Sequence, residues 1–116
     1  MKTLLAMLGG VLTAVFVLVL ACSPPPDGQK VFLDSGCARC HELDGSGGSQ
    51  GPRLTALSTK WTAESLDQFL VDPPAFVKEN ARLQAYQDDF VTPMPKLAIE
   101  PEKRQALVRY LLKSHP

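Results

Sequence analysis

Hydrophobic residues form one long run at the start of the chain and shorter, spaced groups after it. Residues 4–21 are uncharged and apolar except for two glycines and one threonine, and a short positive start, residues 1–3, precedes them. This pattern is typical of an export signal. A bilayer is crossed by about 20 apolar residues, so the run can be a cleaved signal or an uncleaved anchor. We assign residues 1–21 to a signal peptide or membrane anchor.

A cysteine follows the apolar run directly. The sequence Leu18-Val19-Leu20-Ala21-Cys22 places Cys22 behind a small residue and resembles a bacterial lipoprotein signal. That resemblance implies that Cys22 becomes the N-terminus and carries the lipid. In the alternative, Cys22 is the end of an uncleaved anchor helix. Both alternatives predict an exported chain held at a membrane, on the periplasmic or extracytoplasmic side.

Residues 22–27 form a spacer between the membrane and the folded part. Three consecutive prolines, Pro24 to Pro26, favour an extended and stiff backbone. The domain therefore begins near Gly28 and is assigned to residues 28–116. A domain of this size has a marginal hydrophobic core, and a covalently held apolar cofactor would add to it.

The remaining hydrophobic groups have helical spacing. Residues 28–35 are predicted to form a short helix that ends at Gly36. Thr62 is a plausible N-cap for a second helix, in which an i, i+3, i+4 stripe should face the core before two prolines end it. That stripe consists of Leu66, Phe69 and Leu70.

The second half of the chain is predicted to contain one irregular or short helix and one regular helix. Residues 75–90 are only loosely periodic, which favours the irregular element. Pro101 suits a first helical position. The apolar pairs Leu107/Leu111 and Val108/Leu112, each four residues apart, predict that the last helix follows it. The chain has few β-branched runs and no alternating strands, so the fold class is all-α.

Composition excludes one class of partner and leaves the others open. The chain has 116 residues and a formal net charge of zero, with scattered lysines, so nucleic acid is not expected as a partner. Length allows one domain.

The chemistry is concentrated in Cys37-Ala38-Arg39-Cys40-His41, a C-x-x-C-H motif that is read as a c-type haem attachment site. Each thiol can add across one vinyl group of one haem, and His41 then lies under the iron as a ligand. A redox disulfide and half of a zinc site are the alternatives. The only other histidine is His115, beside a terminus that is expected to fray.

Met94 is the candidate for the second axial ligand. It is the only methionine after the signal segment and stands between Pro93 and Pro95, which favour a rigid loop. Ligation by methionine and histidine is typical of electron-transfer cytochromes. The alternative is that Met94 only fills the core.

From these motifs in this order, the chain resembles the class I (monohaem) cytochrome c family over residues 28–114. The motifs are Gly28 and Phe32, Cys37 to His41, Gly51-Pro52-Arg53-Leu54, Met94-Pro95 and Leu107 to Leu112. The resemblance implies a small helical fold in which the first and last helices, through Gly28, Phe32, Tyr110 and Leu111, cross beside one haem. It also implies that the Pro52 carbonyl accepts a hydrogen bond from His41. Residues 75–90 are longer than the corresponding loop of mitochondrial cytochrome c.

Two further residues are candidates for contact with the haem. In the resembled family an aromatic residue near this point of the chain can donate a hydrogen bond from its ring nitrogen to a haem propionate. Trp61 is the candidate for this role, and plain core packing is the alternative. Arg53 can pair with a propionate through its guanidinium, and a solvated surface position is its alternative.

The leading hypothesis is one-electron transfer without substrate chemistry, in a respiratory or photosynthetic chain. This hypothesis predicts redox partner proteins, no small-molecule substrate and no enzymatic activity. A haem-based sensor with a labile Met94, and a fixed haem subunit of a larger oxidoreductase, are the alternatives.

Overall fold

A computed structural model describes residues 23–115, and the regular structure within that range is entirely helical. Its helices are α1 (Gly28–Asp34), α2 (Ala38–His41), α3 (Leu57–Lys60), α4 (Ala63–Val71), α5 (Pro73–Lys78), α6 (Ala81–Gln87) and α7 (Pro101–Ser114). The predicted all-α class is confirmed. In this range no helix has the length and apolar character needed to cross a membrane. The predicted signal or anchor and Cys22 lie outside the described residues.

Helices α1 and α7 cross and form the largest contact between two helices in the described part of the chain. The Asp27 side chain caps α1 by accepting from the backbone N–H of Gln29. Phe32 and Leu107 are 1% and 0% exposed, and the rings of Phe32 and Tyr110 lie 5.9 Å apart. The predicted packing of the first helix on the last is confirmed.

Helix α4 lies against α7 and begins as predicted. Thr62 and Ser65 form a capping box in which each side chain accepts from the other residue's backbone N–H. Leu66 and Leu70 are buried, so the predicted stripe faces the core. An ion pair of 2.8 Å between Asp67 and Arg104 joins α4 to α7.

The prediction of one irregular or short helix over residues 75–90 is wrong, because two short helices occupy this stretch. Asp72 caps α5 by accepting from the backbone N–H of Ala75, so the two prolines after it begin a helix as well as follow one. Asn80 interrupts the helical backbone and caps α6 by accepting from Leu83. The loose periodicity arose because two helical registers were read as one.

Candidate functional site

Helix α2 brings the three residues of the motif into one helical turn. The Cys37 carbonyl accepts from the backbone N–H of Cys40 at 3.2 Å and of His41 at 3.0 Å. Cys37 is buried and Cys40 half-buried, and neither forms a disulfide in the described structure. Burial raises the pKa of the Cys37 thiol. One turn of backbone therefore presents both thiols and the imidazole to the same side.

The His41 imidazole is held in one tautomer by the Pro52 carbonyl. Nδ1 donates to this carbonyl at 2.8 Å, since a carbonyl oxygen only accepts. The side chain is 8% exposed, and burial lowers the pKa of His41 although the hydrogen bond to Pro52 acts to raise it. The neutral imidazole keeps the lone pair of Nε2 for a metal ion.

Backbone hydrogen bonds close the loop after His41. The His41 carbonyl accepts from Gly47 at 3.0 Å, and the Gly45 carbonyl accepts from Leu54 at 2.8 Å. Gly51 lies so close to Cys40 that a Cβ on Gly51 would come within 3.0 Å of the Cβ of Cys40. Because Gly51 has no side chain, the backbone at residue 51 can approach Cys40 closely, and this brings Pro52 next to His41.

A cavity of about 380 Å³ opens beside the motif, within the range of about 300–1,000 Å³ found for small-molecule sites. Cys37, Cys40 and His41 all line it. Its apolar walls come from several helices and include Phe32, Leu57, Leu66, Phe69, Leu70, Leu107 and Leu111. The cavity is therefore an apolar space into which both thiols and the imidazole project.

Residues from α5, α6 and the following loop complete the cavity. Met94 lines it and is half-buried. Leu83, Tyr86 and Phe90 line it as well, from the segment that the sequence described only as irregular. Met94 thus shares one cavity with His41, as a pair of axial ligands requires.

The structure places Trp61 and Arg53 differently at this cavity, although both line it. Trp61 is half-buried and packs on Phe69 and Phe76, with ring centroids 5.1 Å and 5.9 Å away. Arg53 is exposed, and its Nε donates to the Ser46 carbonyl at 3.3 Å. Sequence reasoning missed Arg82, whose guanidinium carbon lies 4.9 Å from the centre of the Trp61 ring.

His115 is hydrogen-bonded at the end of α7, where the sequence predicts a frayed terminus. Its backbone N–H donates to Leu111, its carbonyl accepts from Leu57, both at 3.0 Å, and its ring stands edge-on to Tyr110. It is absent from the lining of the cavity. No cluster of three or more His, Cys, Asp or Glu side chains suited to a metal ion occurs within residues 23–115. The described residues thus give no support to the zinc alternative.

The charges around the cavity match an apolar ligand that carries carboxylates. Four basic side chains line it, and none of the described lining residues is acidic. These basic residues are Arg39, Arg53, Lys60 and Arg82. A haem has an apolar ring, two vinyl groups and two propionates, so the thiols, the imidazole, the apolar walls and the cationic lining fit it.

Comparison with protein families gives one match. The family model described as Cytochrome c matches residues 26–115, a range that includes all of the helices and lining residues above. No solved structure matches the chain closely enough to add to this comparison.

Proposed function

Because the chain belongs to the cytochrome c family, we propose that it is a one-electron carrier with His41 and Met94 as axial ligands of its haem. The family implies a haem c held covalently, and Cys37 and Cys40 are the residues for its attachment. The observation that carries the proposal is that the two thiols, His41 and Met94 line one apolar cavity.

His41 is suited to a permanent ligand because its second ring nitrogen is already engaged. The hydrogen bond from Nδ1 to Pro52 fixes the direction of the ring. Burial favours the neutral form, which is the form that ligates. Binding therefore needs little rearrangement of this side of the cavity.

Met94 is the only methionine within the described residues, and its loop is tied to the helices next to it. The Lys96 ammonium, two residues further on, lies 2.9 Å from a carboxylate oxygen of Asp72. Pro93 and Pro95 restrict the backbone on both sides of Met94. A thioether presented by such a loop would fill the remaining axial position and raise the reduction potential.

The chain's contribution to electron transfer is to hold its ligands still and to keep water out. A bound haem c supplies the chemistry, in which iron alternates between the ferrous and ferric states. Phe32, Leu107 and Leu111 are buried and form a close-packed wall, so the ligands on this side move little. If His41 and Met94 both bind a haem iron, they would leave no open position on it for a small molecule.

We propose that the domain is tethered outside the cytoplasm by its N-terminus. The apolar run of residues 4–21 followed by Cys22 supports a lipid-carrying cysteine. Residues 23–27 are non-helical and largely exposed, as a spacer would be. Mass spectrometry of the mature N-terminus tests this: a lipid-modified Cys22 is expected, and an unmodified Met1 would contradict lipidation.

The visible spectrum of the exported protein tests the ligand assignment. The ferric form should show the weak long-wavelength band of sulfur-to-iron charge transfer, and the reduced form should not bind carbon monoxide. Met94→Ala should lose the band and bind carbon monoxide. Leu97→Ala is the matched control, because Leu97 lies in the same loop and lines the cavity but has no sulfur.

Three outcomes would contradict parts of this proposal. Ready binding of carbon monoxide by the unchanged protein would favour a sensor. A stoichiometric partner that co-purifies in mild detergent would favour a fixed subunit over a free shuttle. A protein without haem would refute the proposal entirely.

A further inference from the structure

The four basic residues that line the cavity are not the ones that form salt bridges in the described structure. The salt bridges within residues 23–115 use Lys30, Lys96, Lys103 and Arg104. None of these four lines the cavity, and none of the basic lining residues takes part in a salt bridge there. The positive charge at the cavity is therefore not neutralised by any salt bridge within the described residues.

Among these cations, Arg82 is the one that lies over an aromatic ring, and its side chain is exposed. Its guanidinium stacks over the Trp61 ring at 4.9 Å, a cation–π distance. Trp61 is in turn fixed between Phe69, Phe76 and the cavity. A guanidinium that lies over a ring face can still donate its N–H groups to a carboxylate. Arg53, by contrast, already donates to the Ser46 carbonyl.

The backbone that carries Arg82 is braced within the two short helices. The Gln84 side-chain amide donates to the carbonyls of Val77 and Lys78, at 3.1 Å and 2.7 Å, and so joins α6 to the end of α5. Leu83 and Tyr86, on the same helix as Arg82, line the cavity. Helix α6 has no fully buried residue of its own, so a ligand bound in the cavity would add to the burial of its apolar side chains.

We propose that Arg82, held on Trp61, binds a haem propionate and so fastens α6 over the cavity. This assignment rests on the proposed function, because it requires the haem. It gives a role to residues 75–90: this segment contributes the charge that neutralises one carboxylate. An uncompensated carboxylate favours ferric over ferrous iron, so Arg82 raises the reduction potential.

The test compares the reduction potential of the haem-containing protein with that of single variants. Arg82→Gln should lower the potential, corresponding to about a threefold rise in the ferric-to-ferrous ratio at fixed electrode potential. Arg109→Gln removes an exposed arginine that does not line the cavity, and is the control for net charge. Arg53→Gln tests the competing arginine.

Two further variants separate the effect of the Arg82 charge from that of the Trp61 ring beside it. Arg82→Lys keeps the charge without the planar stack and should give an intermediate potential. In Trp61→Leu, which lacks the aromatic ring, adding Arg82→Gln should change the reduction potential less than Arg82→Gln does in the unchanged protein. Hydrogen exchange of residues 81–87 should accelerate in Arg82→Gln and not in Arg109→Gln.

The outcomes distinguish this assignment from the proposed function. A haem protein in which Arg82→Gln and Arg109→Gln shift the potential equally, or in which Arg53→Gln alone shifts it, overturns the role of Arg82 and leaves the electron carrier intact. A protein without haem overturns both.

Discussion

The two sides of the cavity are each stabilised by different interactions. The attachment side comprises α1, α2, the loop to Leu54 and α7, and the lid side comprises residues 73–97. On the attachment side His41, Phe32 and Leu107 are 8% exposed or less. On the lid side Tyr86 is 43% and Val91 83% exposed. Buried apolar contacts dominate on the first side. On the second, backbone hydrogen bonds and the packing of Phe76 are supplemented by helix caps, one side-chain amide and one exposed ion pair.

This difference predicts that local stability varies across the cavity. The attachment side buries its own apolar surface, so its thiols and imidazole are already positioned. On the lid side, Leu83, Tyr86 and Phe90 line the cavity and none of them is fully buried. Local stability should therefore fall from the first side to the second, as expected of elements with few buried contacts.

The largest effect is expected from removing the thiols. Cys37→Ser and Cys40→Ser together should abolish covalent haem, because no thioether can form. Each single variant should retain one bond and hence the haem mass. Intact-mass measurement after denaturation decides this. Covalent haem in the double variant would show that another residue makes the attachment.

The next largest effect is expected from a substitution on the attachment side, where α1 crosses α7. A Cβ at Gly28 would lie 2.5 Å from the Cβ of Tyr110, so Gly28→Ala should force α1 and α7 apart. Overpacking of this kind costs about 1–3 kcal/mol in the free energy of unfolding. Urea denaturation measures it.

Gly48→Ala is the matched control for this substitution. A Cβ at Gly48 would have only a carboxylate oxygen of Glu42 within 4 Å, at 3.9 Å. Its stability should stay close to that of the unchanged protein. Equal losses in both variants would contradict a close crossing at Gly28.

Local signals explain which parts of the fold the sequence could predict. Thr62 caps a helix, Pro101 begins one, and the C-x-x-C-H motif spans a single turn, so each lies within a few residues of its partners. The order of the motifs then indicated the crossing of α1 and α7. For these features neighbouring residues carry enough information.

Contacts between distant residues explain what the sequence did not predict. The ion pairs of Asp72 with Lys96 and of Asp67 with Arg104 join residues 24 and 37 positions apart. Arg82 lies in the loosely periodic segment of residues 75–90, and its position over Trp61 depends on how α5 and α6 pack. No periodicity encodes such a pairing.

A smaller effect is expected at the ion pair beside the attachment side. Arg104 donates to both carboxylate oxygens of Asp67, at 2.8 Å and 3.2 Å, and to the Ile99 carbonyl. Arg104→Gln should cost about 1–2 kcal/mol in the free energy of unfolding, since the pair is only partly buried. Lys103→Gln is the control, because its pair with Glu100 on the same helix is exposed. Similar losses in the two would show that burial of the Asp67 pair adds nothing.

The smallest effect is expected from the exposed pair on the lid side, and it should depend on pH. The hydrogen bond from Lys96, with lesser help from the N–H of Ala75, holds the pKa of Asp72 below its ordinary value of 3.8. A carboxylate with a depressed pKa contributes stability above that ordinary value and loses it as the pH falls through the lower one. Asp72→Asn keeps the cap on α5 and removes only the charge.

Hydrogen exchange of residues 91–97 in the haem-containing protein measures the contribution of this charge. At pH 7 the loop should exchange faster in Asp72→Asn than in the unchanged protein, and the difference should vanish once Asp72 is protonated. Asp88→Asn, which removes a lid-side charge outside the described salt bridges, should leave the loop unaffected at both pH values. A difference that persists in acid would mean that the Asp72 carboxylate does not act through its charge, and the lid side would then rest on packing, as the attachment side does.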